Sequence, residues 1–150
     1  MGWFNLLNVQ PRIIMGESVR VPIEIESDIV VARRKGREVS VQVGLSGSDP
    51  TLVATAISEI SRNILVYAQR GEIVITQLRE WNRSGILVVA RDSGPGIRNV
   101  DLAMQDGYST GKSLGLGLPG AKRLMDEFTI ESTVGTGTTI TMKKWARVVW

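Results

Sequence analysis

Asp49-Pro50-Thr51-Leu52-Val53-Ala54-Thr55-Ala56-Ile57-Ser58-Glu59-Ile60-Ser61-Arg62-Asn63-Ile64 carries the strongest structural signal in the chain. Asp49 can cap a helix, and Pro50 suits the first helical position, where its missing N–H would have had no partner anyway. Leu52, Val53, Ala56, Ile57, Ile60 and Ile64 then recur at helical spacing, which predicts a helix laid on a core. Glu59 and Asn63 stand four apart, so they share a face that flanks the apolar stripe. Alone, they read as ordinary helix polarity. The same pair also suits a carboxylate that takes a proton from a substrate hydroxyl or water, beside an amide oxygen that ligates a cation.

Upstream, Val19, Val21, Ile23 and Ile25 alternate with Arg20, Pro22 and Glu24, which predicts a half-buried strand, placed at a sheet edge by Pro22. Ser27 is the expected N-cap of a helix with Asp28 in its first turn, running to about Val43 and ended by Gly44. Its Arg33, Arg34, Lys35 and Arg37 read first as a solvated face, with contact to nucleic acid or a partner as the alternative. Residues 1–17 form an N-terminal arm with no clear period: a docking arm, an extra strand and an unstructured start all remain open. Residues 18–150 form the domain proper.

Downstream, strands over Glu72–Leu78 and Gly85–Arg91 flank the turn Glu80–Ser84 and predict an antiparallel hairpin. Residues 92–120 hold seven glycines, about three times the average frequency. A helix over Pro119–Glu127 follows. Strands Phe128–Thr133 and Thr138–Trp145 are joined by Val134-Gly135-Thr136-Gly137. This order predicts an α/β fold, a two-layer sandwich with a mixed, mostly antiparallel sheet and helices on one face.

Composition narrows the chemistry. At 150 residues and 16.4 kDa, with 43% hydrophobic and 22% charged residues and a mean hydropathy of +0.05, the chain suits one soluble domain. It contains no cysteine and no histidine, so thiolate nucleophiles, Ser-His-Asp triads, disulfides and the usual zinc sites are excluded. Proton transfer must rest on Asp, Glu, Lys or Tyr, and a metal would be a hard, oxygen-bound ion such as Mg²⁺. The net charge of +3 mildly favours anionic partners, while 5% aromatic residues argue against stacking of single-stranded bases. No apolar run approaches the roughly 18 residues a membrane span needs.

Three glycine motifs remain. Asp92-Ser93-Gly94-Pro95-Gly96 follows a strand; its glycines let the backbone approach a planar ligand, and Asp92 can accept a hydrogen bond from an exocyclic amine, although a plain tight turn explains the same letters. Gly115-Leu116-Gly117-Leu118-Pro119-Gly120 matches a dinucleotide fingerprint in letters but lacks the preceding strand, and Gly111-Lys112-Ser113 misses a P-loop because Asp106 stands where its earlier glycine belongs. Glycines leading into a helix still aim N–H groups and the positive helix end at phosphates.

Taken in order, Glu59/Asn63, Asp92-x-Gly94-x-Gly96, Gly115-x-Gly117 and Gly137-Thr138 resemble the motifs of the GHKL, or Bergerat-fold, ATPase superfamily. Residues 56–64, Asp106-Gly107-Tyr108-Ser109-Thr110, 115–120 and 122–128 look like its small bacterial switch-protein serine kinases. The resemblance implies transfer of phosphate from ATP to Ser or Thr of STAS-domain antagonist and scaffold proteins in a stressosome-type partner-switching pathway. It further implies release and activation of a PP2C-type phosphatase, in the cytoplasm, with neither nucleic acid nor membrane as partner. It makes Glu59 the catalytic base, Asn63 the Mg²⁺ ligand and Asp92 the holder of the adenine amine. Gly94, Gly96 and Ile97 give the base its place, and Thr138 lies beside Asp92. Lys112 sits on a short lid near the phosphates, with Gly115, Leu116, Gly117 and Leu118 around them. An anti-sigma kinase of the same fold, or a nucleotide-bound regulatory module, are the alternative readings. The histidine that many members carry soon after the asparagine is missing, since Tyr67-Ala68-Gln69 stands there.

Overall fold

The computed structural model describes residues 14–105 and 117–147. Alternation builds the sheet. β1 (Ile14–Ile23), β2 (Gly71–Glu80), β3 (Arg83–Asp92), β4 (Glu127–Thr133) and β5 (Gly137–Trp145) form one sheet in the order β1-β2-β3-β5-β4, and every described pairing is antiparallel. The sheet therefore lacks, among the described residues, the parallel component that a mixed sheet implies. Val21, Ile23, Ile73, Ile75, Ile86, Val88, Ile140 and Met142 all point to one face and are buried there.

That face is covered by α1 (Glu26–Gln42), α2 (Asp49–Asn63) and α4 (Gly117–Leu124), whose Ala32, Val39, Val53, Ile57, Ile60, Leu118 and Ala121 enter the same core. Each fully buried isoleucine contributes about 1.5–3 kcal/mol by leaving water. α1 and α2 cross closely at Gly36, where an added Cβ would run into the Ile57 side chain. A single turn, α3 (Val100–Ala103), capped by the Asn99 side chain, follows the loop after β3.

Several local expectations are corrected. β1 begins at Ile14, inside the 1–17 arm, and stops at Ile23, because Ile25 is the exposed N-cap residue of α1. Ser27 is not the cap; Asp28 does that work from the third helical position, its Oδ2 accepting from the N–H groups of Glu24 and Ile25 at 2.9 and 3.0 Å. Asp49 likewise lies inside the first turn of α2, after Ser48, and faces Arg147 at 3.8 Å. α4 ends at Leu124, earlier than expected, because Met125 and Asp126 turn the chain and Glu127 already pairs with Lys143. Pro22 does lie on the edge strand, opposite Glu72.

The opposite face of the sheet has a small cluster of its own: Leu78, Leu87 and Trp145. The Trp145 ring lies against Gly85, its Nε1–H donates to Glu127 Oε2 at 2.7 Å, and Arg83 stacks 3.7 Å above it.

Candidate functional site

The site lies where α2, the loop after β3, the β4–β5 turn and the start of α4 converge. Asn63 ends α2, and the chain runs straight into a π-helical turn, Ile64–Ala68, closed by Gln69 at φ +71°. Such wide turns leave helical backbone out of register and recur at functional sites. Here the turn brings Ala68 against Gly94, where a Cβ would collide with the Ala68 side chain, so the end of α2 and the β3 loop are in direct contact.

Asp92 is the last residue of β3, and its Oδ1 accepts from Gly94 N–H at 2.9 Å. That bond folds the loop back and leaves Oδ2 available. Gly96 has φ +77°, a conformation that disfavours a side chain, and a Cβ there would strike the Thr133 carbonyl. Pro95 O in turn accepts from Gly135 N–H at 2.8 Å, tying this loop to the β4–β5 turn. Gly137 passes so close to the Asp92 carbonyl that no side chain fits between.

Beneath the loop, Thr138 pairs in register with Asp92 and is 5% exposed. Its Oγ1 lies 2.8 Å from Ser132 Oγ, which also accepts from Ile97 N–H at 2.7 Å. Ser132 is thus the post that joins Ile97 and Thr138, and sequence reasoning missed it. Only its place opposite Thr138 in the β4–β5 register would have marked it.

On the other side, Glu59 Oε2 accepts from Gly117 N–H at 3.0 Å. Gly117, at φ +67°, is the first residue of α4, so the carboxylate binds one of the N–H groups that a helix start leaves open. Leu118, next along, is buried in the core and anchors that helix start. The Asn63 side chain makes no hydrogen bond among the described residues and is half-buried, which leaves its amide oxygen free. Arg62, between the two, turns away to Glu26 at 3.1 Å. No cluster of three acids suited to a metal occurs among the described residues.

The structure therefore brings together Glu59, Asn63, Asp92, Gly94, Gly96, Ile97, Gly117, Leu118 and Thr138. Lys112, Gly115 and Leu116 lie outside the described residues.

The chain's likeness to known proteins agrees with this geometry. Residues 48–147 match the family of histidine kinase-, DNA gyrase B- and HSP90-like ATPases, and the chain belongs to that family, the GHKL ATPases. The chain is 46% identical over 133 residues to the serine/threonine-protein kinase RsbT of Bacillus subtilis, a match covering 89% of this chain and 100% of the relative. It is 37% identical over 116 residues to an anti-sigma F factor of Clostridium kluyveri, covering 71% of this chain and 81% of that one. The fold also matches the crystal structure of the RsbU and RsbW domains of Rv1364c from Mycobacterium tuberculosis, with a TM-score of 0.60 and 20% identity, over 90% of this chain and 35% of that longer one. Within the family the chain is a protein serine/threonine kinase that binds ATP, similar to RsbT.

Proposed function

We propose that the chain transfers the γ-phosphoryl group of ATP to a Ser or Thr of STAS-domain antagonist and scaffold proteins. The setting is a bacterial partner-switching pathway of the stressosome type, in the cytoplasm, and the released kinase activates a PP2C-type phosphatase. The observation that carries the kinase chemistry is the Glu59–Gly117 hydrogen bond, which fixes a carboxylate at the start of α4 with one oxygen unused among the described residues.

In this reading the purine lies on the Asp92–Ile97 loop. Asp92 Oδ2 accepts from the exocyclic amine, and Gly94, Gly96 and Gly137 keep side chains out of the way. Thr138 and Ser132 support the loop from below. The triphosphate runs towards Gly117 and the positive end of α4, with Gly115, Leu116 and Lys112 alongside. Glu59 accepts the proton of the incoming hydroxyl as its oxygen bonds to the γ-phosphorus; the bond to the β–γ bridging oxygen breaks and ADP leaves. The amide oxygen of Asn63 fits Mg²⁺, a hard ion that takes few protein ligands and keeps the rest as phosphate and water. When bound, the ion supplies neutralisation of phosphate charge.

The test is Mg²⁺-dependent transfer of labelled γ-phosphate to a STAS-domain protein encoded beside this one. Label on a Ser or Thr of that protein, lost with Glu59→Gln, is the expected result. ATP binding without transfer would overturn the kinase chemistry in favour of a regulatory module.

A further inference from the structure

β5 turns Thr138, Ile140 and Met142 towards the helices, and the next residue on that side is Lys144, opposite Ile86 in the register. The pattern calls for an apolar side chain there. A lysine only 8% exposed is tolerated where its ammonium group is paired. Its Nζ donates to the Leu124 carbonyl at 2.8 Å and stands 3.7 Å from Asp126 Oδ1. Asp126 is itself fixed: its Oδ2 accepts from Trp145 N–H at 2.8 Å, and its own N–H donates to the Lys143 carbonyl at 2.9 Å. Leu124 is the last residue of α4, so the cation meets one of the carbonyls that a helix end leaves open, at the negative end of the helix dipole.

α4 has only eight residues, about 12 Å of helix, too few to hold its course without tertiary contacts. Its place along its own axis is set at the two ends, by Glu59 Oε2 on Gly117 N–H and by Lys144 on the Leu124 carbonyl, with Leu118 and Ala121 buried between them. We propose that Lys144 is a positioning residue for phosphate binding and transfer, which holds the start of α4 against Glu59 from the far end of the helix. It acts through Gly117 and not on the nucleotide itself. The proposal rests on the reading above, in which the triphosphate runs to the start of α4.

Lys144→Met keeps the apolar stem and removes the ammonium group. The expected result is a Kd for ATP raised at least fivefold and a kcat for phosphotransfer lowered at least fivefold. The Kd for adenosine, which carries no phosphate, and the KM for the STAS-domain protein should stay within twofold. Lys144→Arg can still donate to the Leu124 carbonyl and should recover at least half of the loss. Trp145→Phe, on the other side of the same strand, gives up the indole bond to Glu127 and lowers stability without reaching α4, so its Kd for ATP should stay within twofold. In a Glu59→Ala background the helix start has already lost its anchor, and adding Lys144→Met should change the Kd for ATP less than twofold. Wild-type ATP affinity in Lys144→Met overturns the proposal, as does an equal loss for adenosine and ATP, an equal loss in Trp145→Phe, or the same loss with and without Glu59. Should Lys144→Met not fold, Lys144→Gln, whose shorter side chain stops short of Leu124, is measured in its place. A wild-type chain that binds ATP but transfers no phosphate fails the kinase reading alone, and the binding constants still judge Lys144.

Discussion

Asp92 has two carboxylate oxygens and, in the proposed reading, two tasks. Oδ1 holds Gly94 N–H, and that bond survives in Asp92→Asn if the amide oxygen takes its place. The other position then becomes an N–H₂ donor facing the donor amine of adenine. The loop should stay folded while ATP affinity falls at least a hundredfold, as calorimetry would measure. Glu59→Gln separates differently: the amide oxygen still accepts from Gly117 N–H, so ATP affinity should change less than threefold while phosphotransfer drops about 10²–10⁴-fold with loss of the proton acceptor. Retained full-rate transfer would remove Glu59 as the base. Gly96→Ala combines a disfavoured φ with collision against Thr133, so it should cost nucleotide affinity at least tenfold in the same titration.

At the scale of elements, the π-helical turn is the strained connection. Gln69 holds φ +71° with a side chain, and glycine removes that penalty. Gln69→Gly should therefore leave the unfolding free energy equal or raise it by up to about 1 kcal/mol, measured by denaturant unfolding. The helix calling for closest attention from sequence, α2, was legible because its apolar spacing and Pro50 agree with its packing. The caps were not, since Asp28 caps from inside its helix while Asp49 faces Arg147 without capping, and a side chain's reach does not show in residue spacing. The β-hairpin and the β4–β5 turn were legible from their glycines and alternation. On the outer sheet face, Trp145→Ala removes a ring held by Gly85, Glu127 and Arg83, and should cost about 3–5 kcal/mol of unfolding free energy.

Across the whole molecule, the proposed adenine side and phosphate side of the site come from residues far apart in sequence. Asp92, Gly94, Gly96, Thr138, Glu59 and Asn63 could be named from sequence because their motifs, taken in order, resemble those of a known superfamily, although each alone has an ordinary structural explanation. Ser132 could not, because its importance arises from register alone. Nor could the contact between Ala68 and Gly94, which depends on a turn wider than an α-helix. If the nucleotide joins these separate segments as proposed, ATP at a hundred times its Kd should stabilise the fold by about 2.7 kcal/mol, visible as a rise in Tm. The Asp92→Asn variant should show no such rise at the same concentration.

The crossing at Gly36 bears on more than packing. Gly36 lies one residue before Arg37 and two after Arg34, and the Ile57 side chain fills the space a Cβ would need. The two helices are therefore seated at one separation, which fixes the helix that carries Glu59 against its neighbour. Any side chain larger than hydrogen at position 36 would wedge the pair apart and shift the helix on which Glu59 meets Gly117, so the site is held in place from behind by an atom that is not there.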